Sequence, residues 1–348
     1  MIVVMKADAT RAQIAEVETR LREMGYRTHP ICGDERTVIG AVGVTRADNP
    51  EVIGKMAGVD RIVPIMKPYK LVSREFNPVG TKIRVGDAVF GGGEMVVIAG
   101  PCAVEGEEMI HRVAQDVKRA GASVLRGGAF KPRTSPYAFQ GLELEGLSML
   151  RSAGKAANLP VVTEVMDTRD VEMVSEYADI IQVGARNMQN FKLLKELGHV
   201  RKPVLLKRGL AATLEEWLMA AEYILDGGND QVILCERGIR TYESATRNTL
   251  DLSAVPLCKE FSHLPLVVDP SHGTGLARLV LPMSRAAAAV GADGIMVEVH
   301  PDPIRAMVDG QQSITPAQLS VLVTEVKRVS AAVRTHPQVA SGSCKRAI

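Results

Sequence analysis

Aromatic side chains are scarce in this chain, 4% of 348 residues with one tryptophan, so its interior has to be built from Val, Ile, Leu, Ala and Met. Cysteine is scarce too. Five residues, an odd number in a chain of this length, make no framework of the kind that staples small secreted domains, and free thiols in a reducing compartment are expected. No apolar stretch approaches the roughly 20 residues of a membrane span, and no signal-peptide core follows the N-terminus; no membrane partner and a cytoplasmic location are the expectation. Charge of one sign is lacking as well: 42 Lys and Arg against 40 Asp and Glu leave a formal +2. Such a balance offers no broad basic surface to nucleic acid, so an anionic ligand must be met by a local cluster of cations.

What the chain has instead is eight short apolar runs, at residues 95–99, 123–125, 160–163, 179–183, 203–206, 231–235, 266–268 and 294–297. Each ends on polar chemistry: Cys102, Arg126 with Lys131, Glu164, Arg186, Lys207, Arg237, His272 and Glu298. Helical patterns at 107–120, 144–157, 168–177, 190–198, 213–226, 247–261, 277–290 and 315–333 alternate with them. The alternation predicts an α/β fold, a (β/α)8 TIM barrel with parallel strands over residues 94–333, and the active sites of such barrels lie at the carboxyl ends of the strands. The chain exceeds the roughly 250 residues of a plain barrel, leaving room for a small extra domain.

Residues 1–66 read as that domain. Strands at 2–5, 26–32, 36–44 and 61–65, a helix capped by Thr10 with Ile14, Val17, Leu21 and Met24 on one face, and a short helix at 50–56 give the order βαββαβ, an α+β ferredoxin-like unit. A stability or assembly role and a regulatory role both fit it. Residues 67–79, with Pro68 and Pro78, read as a linker. Residues 81–90 suggest a hairpin turning at Gly86 and Asp87 that plugs the barrel bottom, completing a connecting segment over 67–93. The small and polar residues of 334–348 suggest a flexible tail.

Four of the polar groups, Cys102, His272, Glu298 and Asp309, form a candidate metal set. Alone, each has an ordinary reading: a buried thiol, a hydrogen-bonded imidazole, a paired carboxylate, a turn former. Glu298 weighs more than the others, because it continues a buried strand where an unpaired carboxylate is costly. Together they offer thiolate, imidazole and two carboxylates, which suits one divalent transition metal, Mn, Fe, Co or Zn. The second constellation is cationic. Lys131-Pro-Arg133-Thr134-Ser135 gathers an ammonium, a guanidinium and two hydroxyls, and Arg126, Arg186, Lys207 and Arg237 follow their strands closely. Guanidinium forks match phosphate and carboxylate, and this charge exceeds what one phosphate needs, so two anionic substrates, or one trianion and one phosphate, are expected.

Gly100-Pro-Cys-Ala-Val-Glu105, Lys131-Pro-Arg-Thr-Ser135, Gly184-Ala-Arg186, Lys207, Cys235-Glu-Arg-Gly238, Asp269-Pro-Ser-His-Gly273 and Val297-Glu-Val-His300 resemble the 3-deoxy-D-arabino-heptulosonate 7-phosphate synthase family. The resemblance covers about residues 95–330 in order, and residues 1–66 fit its type I beta branch. It implies condensation of phosphoenolpyruvate with erythrose 4-phosphate and water, the first step of the shikimate pathway. It further implies that Cys102, His272, Glu298 and Asp309 bind the metal, with Cys102, His272 and Lys131 catalytic and Lys131 donating a proton to the developing alkoxide. Arg186, Lys207 and Arg237 would hold the phosphate of phosphoenolpyruvate, Arg126 and Lys131 its carboxylate, and Glu164 a water; Ala185 and Asp269 join that substrate site. Arg133 and Thr134 would take the aldose phosphate. Tyrosine or phenylalanine as an effector at the N-terminal unit, and a homotetramer, are implied in the same way.

Two alternatives stand beside it. The sister 3-deoxy-D-manno-octulosonate 8-phosphate synthases share the barrel but carry Ala-Asn where this chain has Pro132, and an inactive amino-acid-sensing barrel would have no need of intact ligand and cation sets. Cys235 is either a buried spectator or a partner for Cys102 in a disulfide formed when metal is lost.

Overall fold

The computed structural model describes residues 1–32, 36–43, 51–63, 67–132 and 135–335. Its first unit runs β1 (Ile2–Met5), α1 (Arg11–Glu23), β2 (Arg27–Cys32), β3 (Thr37–Val42), α2 (Glu51–Gly54) and β4 (Val59–Val63). The strands pair antiparallel in the order β2-β3-β1-β4, the ferredoxin-like arrangement expected. Thr10 opens α1 with a capping box shared with Gln13. Strand alternation divides the sheet: Val3, Met5, Ile39 and Ala41 pack with Val17 and Leu21 of α1, while Ile2 and Val4 point the other way. The last strand starts two residues earlier than its apolar run suggests, because Met5 pairs with Val59 directly after the Gly58 turn.

A hairpin of β5 (Ile83–Val85) and β6 (Ala88–Phe90) follows, then the barrel strands β7 (Val96–Gly100), β8 (Val124–Arg126), β9 (Val161–Val165), β10 (Ile180–Val183), β11 (Val204–Lys207), β12 (Val232–Glu236), β13 (Leu266–Val268) and β14 (Gly294–Glu298). These eight close into a parallel barrel. Inward residues such as Val96, Ile98, Leu205, Ile233 and Met296 form one cluster with Ile83, Val85, Ala88 and Phe90, so the hairpin stoppers the amino end of the barrel. Around it lie α3 (Glu107–Arg119), α4 (Glu143–Ala157), α5 (Val171–Tyr177), α6 (Phe191–Gly198), α7 (Leu214–Asp226), α8 (Ala254–Phe261), α9 (Pro270–Thr274), α10 (Ala277–Ala289) and α11 (Pro316–Thr335). No helix among the described residues is long and apolar enough to cross a membrane.

Four sequence expectations are corrected. Most strands run one or two residues further than their apolar runs, so Arg126, Glu164 and Lys207 are, as Glu298 was expected to be, strand residues fixed by the ladder rather than loop residues. Residues 247–253 are not helical: Ile239 and Thr249 bridge, and the Arg247 and Asn248 N–H groups donate to Thr274 O and Gly273 O, holding this stretch over the barrel mouth. The expected linker is instead packed down. Tyr69, Leu71, Val72 and Phe76 are buried between the Ile2 and Val4 face of the first sheet and the barrel. The Glu222 carboxylate on α7 accepts the N–H groups of Lys70 (2.8 Å), Leu71 (2.8 Å) and Val72 (3.0 Å), and His263 donates Nε2–H to Leu71 O (2.6 Å). Arg27 of β2 also reaches Asp226 at the end of α7, at 2.6 Å. The helix expected to end at residue 333 continues to Thr335, and the rest of the tail lies outside the described residues.

Candidate active site

At the carboxyl end of the barrel, ligand atoms of Cys102, His272, Glu298 and Asp309 lie within 4.8 Å of one another. Cys102 follows β7, His272 sits in α9 after β13, Glu298 ends β14, and Asp309 stands in the loop beyond it with a left-handed backbone, φ 53°. Asp269, wholly buried, sets the imidazole: its Oδ2 lies 2.7 Å from His272 Nδ1 and 2.7 Å from Lys207 Nζ, and its Oδ1 accepts the His272 N–H at 2.9 Å. Burial disfavours the Asp269 carboxylate, yet His272 and Lys207 against it hold it well below the usual carboxylate range. Burial pushes His272 down to about 4, so the ring is neutral near pH 7.

A neutral ring that gives its Nδ1–H to Asp269 has only a lone pair on Nε2. That lone pair faces Glu298 Oε1 at 3.1 Å. Two lone pairs at that separation repel one another, and a cation shared between them, a proton or a metal ion, relieves the repulsion. Glu298 Oε1 also has no hydrogen-bond partner, since Arg126 Nη1, 3.2 Å away, is off the hydrogen-bond direction. The Cys102 thiol lies 3.6 Å from Asp309 Oδ2, and burial pushes it up to about 12. Lys131 Nζ approaches the same sulfur at 3.1 Å and Cys102 O at 2.9 Å. The donor set, the orphaned oxygen and the opposed lone pairs all fit a divalent metal whose binding would deprotonate the thiol.

Above this group opens a cavity of about 460 Å³, lined by Lys131, Arg186, Lys207, Arg237, Arg240 and Arg247. Among the described residues its acidic lining is Glu164 and Asp309, so its character is strongly cationic. Arg186 Nη1 donates to Pro132 O at 3.0 Å, which fastens the Lys131 loop across the mouth. Glu164 accepts from Gln182 Nε2 at 2.8 Å, and its other oxygen fills the space beside Gly184, where a Cβ would lie only 2.1 Å from it. Ala185 lines the cavity beside them. Under Arg237, Glu236 is buried with its Oε2 on Arg208 (2.9 Å) and its Oε1 accepting Gly238 N–H (2.6 Å), which fixes the backbone on both sides of that arginine.

The structure thus brings together Cys102, Arg126, Lys131, Glu164, Ala185, Arg186, Lys207, Arg237, Asp269, His272, Glu298 and Asp309, with Cys102, Arg126, Asp269 and Glu298 beneath the cavity rather than on its wall. Arg133 and Thr134 lie outside the described residues. Cys102, Cys235 and Cys258 are free thiols; Cys235 belongs to the barrel's inner cluster, the spectator reading. Sequence reasoning missed Arg240, Arg247, Asn248 and Gln312. The first three belong to the stretch read wholly or partly as helix or left unread, and Gln312 stands in a plain Asp-Gly-Gln-Gln context with no signal of its own.

Comparison with known proteins accords with this geometry. The model of the DAHP synthetase I family matches residues 73–335, and that of the DAHP synthase ferredoxin-like domain matches residues 1–67. The chain belongs to the DAHP synthetase I family. It is 52% identical over 333 residues to the phospho-2-dehydro-3-deoxyheptonate aldolase of Thermotoga maritima, covering 96% of this chain and 98% of that one. A crystal structure of that enzyme superposes with a TM-score of 0.76 at 51% identity over 95% of this chain and 97% of its own. A truncated form of the synthase from the same organism gives 0.71 at 52% identity, over 76% of this chain and 97% of its own. The 2-dehydro-3-deoxyphosphooctonate aldolase of Syntrophotalea carbinolica is more distant, 32% identical over 275 residues, 74% of this chain and 98% of that one.

Proposed function

We propose that this enzyme condenses phosphoenolpyruvate with erythrose 4-phosphate and water to 3-deoxy-D-arabino-heptulosonate 7-phosphate and inorganic phosphate. The observation that carries this reading is the stack of one cationic cavity, wide enough for two phosphorylated substrates, directly on a four-residue metal set. Identity to the Thermotoga maritima enzyme favours the four-carbon acceptor over the pentose of the octulosonate enzymes. We take residues 1–66 and 94–333 as the two domains of the chain, with 67–93 between them.

Cys102, His272, Glu298 and Asp309 would hold one divalent transition metal, which supplies Lewis-acid polarisation of the aldehyde when bound. Arg186, Lys207 and Arg237 hold the phosphate of phosphoenolpyruvate, and Arg126 and Lys131 orient its carboxylate. With the enol ether so placed, C3 attacks the aldehyde carbon. Lys131, whose Nζ is already beside Cys102, gives its proton to the developing alkoxide. Glu164 orders the water that captures C2, and the resulting tetrahedral carbon expels phosphate. Arg133 and Thr134 take the aldose phosphate.

Phosphate release with erythrose 4-phosphate and with arabinose 5-phosphate tests the reading. Turnover with the four-carbon sugar and little with the pentose is expected; the reverse preference would assign the chain to the octulosonate reaction, and release with neither would leave an inactive barrel.

A further inference from the structure

Two carboxylates of the metal set come from different segments, and before a cation enters they repel one another. Glu298 ends β14 and Asp309 lies 11 residues on, in a loop with no regular strand to fix it. The side chain that joins them is Gln312. It is fully buried; its Nε2 donates to Glu298 Oε2 at 2.8 Å, its Oε1 accepts from Arg247 Nη1 at 2.9 Å, and its backbone N–H donates to Asp309 O at 3.1 Å. The same Arg247 Nη1 stands 3.4 Å from Asp309 Oδ2. Arg247 is fastened in turn to the segment carrying His272, through its N–H to Thr274 O at 2.9 Å. Gly275 makes that approach possible, since a Cβ there would lie 2.6 Å from Arg247 Cβ. Three segments that bear ligands therefore meet on one arginine–glutamine pair.

We infer that Arg247 and Gln312 are positioning residues that present the Glu298 and Asp309 carboxylates to the metal, an inference that rests on the metal reading given above. Gln312 engages Oε2 of Glu298 and so leaves Oε1 turned toward His272 Nε2. Arg247 polarises the Gln312 amide and offsets the charge of Asp309, the part that outer partners of metal ligands commonly play. A cavity-lining Arg247 that only held substrate phosphate would have no reason to make the Gln312 bond.

The test is Co2+ titration of the full-length, chelator-treated protein without substrate, read by the thiolate-to-cobalt charge-transfer absorption from Cys102. Gln312→Met, Arg247→Met and Arg247→Lys are compared with wild type. Loss of either partner should weaken Co2+ binding by about 10- to 100-fold, the usual effect of removing an outer partner, with the charge-transfer band retained at saturation and part of the affinity recovered in Arg247→Lys. Affinities within about twofold of wild type, with a raised KM alone, would overturn the positioning role and make Arg247 a substrate contact. Absence of the band in wild type would instead bring down the metal reading itself, and this inference with it. Gln312 is buried, so should its variant fail to fold, Arg247→Met at a partly exposed position decides the matter alone.

Discussion

Lys131 shows how a single side chain can be legible by type and yet take its meaning from contacts that no motif displays. A lysine in a Pro-stiffened loop after the second barrel strand reads as an anion-binding group; the structure sets its ammonium 3.1 Å from a metal-set sulfur and 2.9 Å from Cys102 O. Proton donation from that position predicts that Lys131→Met lowers kcat by about 10²-fold or more while the protein still binds Co2+. Steady-state turnover of the variant checks this, and normal kcat would remove Lys131 from the proton path. Glu298 was legible because a carboxylate at the end of a buried strand demands a partner, whereas Asp269 entered only through the family resemblance. Gln312 and Arg247 were not, because a neutral amide carries no such demand and an arginine in a stretch of helical pattern reads as a solvated face.

Among the elements, the barrel strands were the most legible, since parallel strands buried on both faces read as uninterrupted apolar runs. Their carboxyl ends were less so: Arg126, Lys207 and Glu298 interrupt the apolar pattern although the ladder continues through them. The packed segment after the first domain was opaque because its backbone partners are remote. Glu222 lies 151 residues from Leu71, and His263 lies 192 residues from it. His263 makes this segment acid-sensitive. Its ring gives Nε2–H to Leu71 O and accepts at Nδ1 from Thr81 Oγ1 at 2.7 Å, and burial pushes its pKa down from 6.5 to about 4. A depressed histidine contributes its stability fully above pH 6.5, and loses it progressively as pH falls toward 4, because the unfolded chain then binds the extra proton. The loss is on the order of 3 kcal/mol at its limit. Glu222, raised by burial, acts in the opposite sense at the acid end, so the comparison with His263→Gln isolates the histidine. Urea unfolding between pH 7 and 5 should show wild type losing stability more steeply than His263→Gln; parallel pH profiles would show that the ring is protonated without penalty.

Taken whole, the molecule joins two units through α7, whose Glu222 grips the connecting segment and whose Asp226 meets Arg27. The first sheet rests its Ile2 and Val4 face on Tyr69, Leu71 and Phe76, so a shift of the N-terminal unit must work against that packing. If this unit carries tyrosine or phenylalanine as an effector, as the sequence resemblance implies, removal of residues 1–66 leaves catalysis and abolishes inhibition; inhibition that survives truncation would place the effector on the barrel. That two units exist was legible from length and from the βαββαβ order, whereas their mutual packing was not, being a property of faces that meet only in the folded chain.

The measurement that bears most directly on the whole account is phosphoenolpyruvate consumption with erythrose 4-phosphate by chelator-treated protein, before and after addition of Mn2+, for wild type and Cys102→Ser. A metal-centred site predicts negligible activity after chelation, recovery in wild type on adding metal, and little recovery in Cys102→Ser. Full activity in the chelated wild type, or equal recovery in the variant, would show that the reaction does not depend on a metal held by this set.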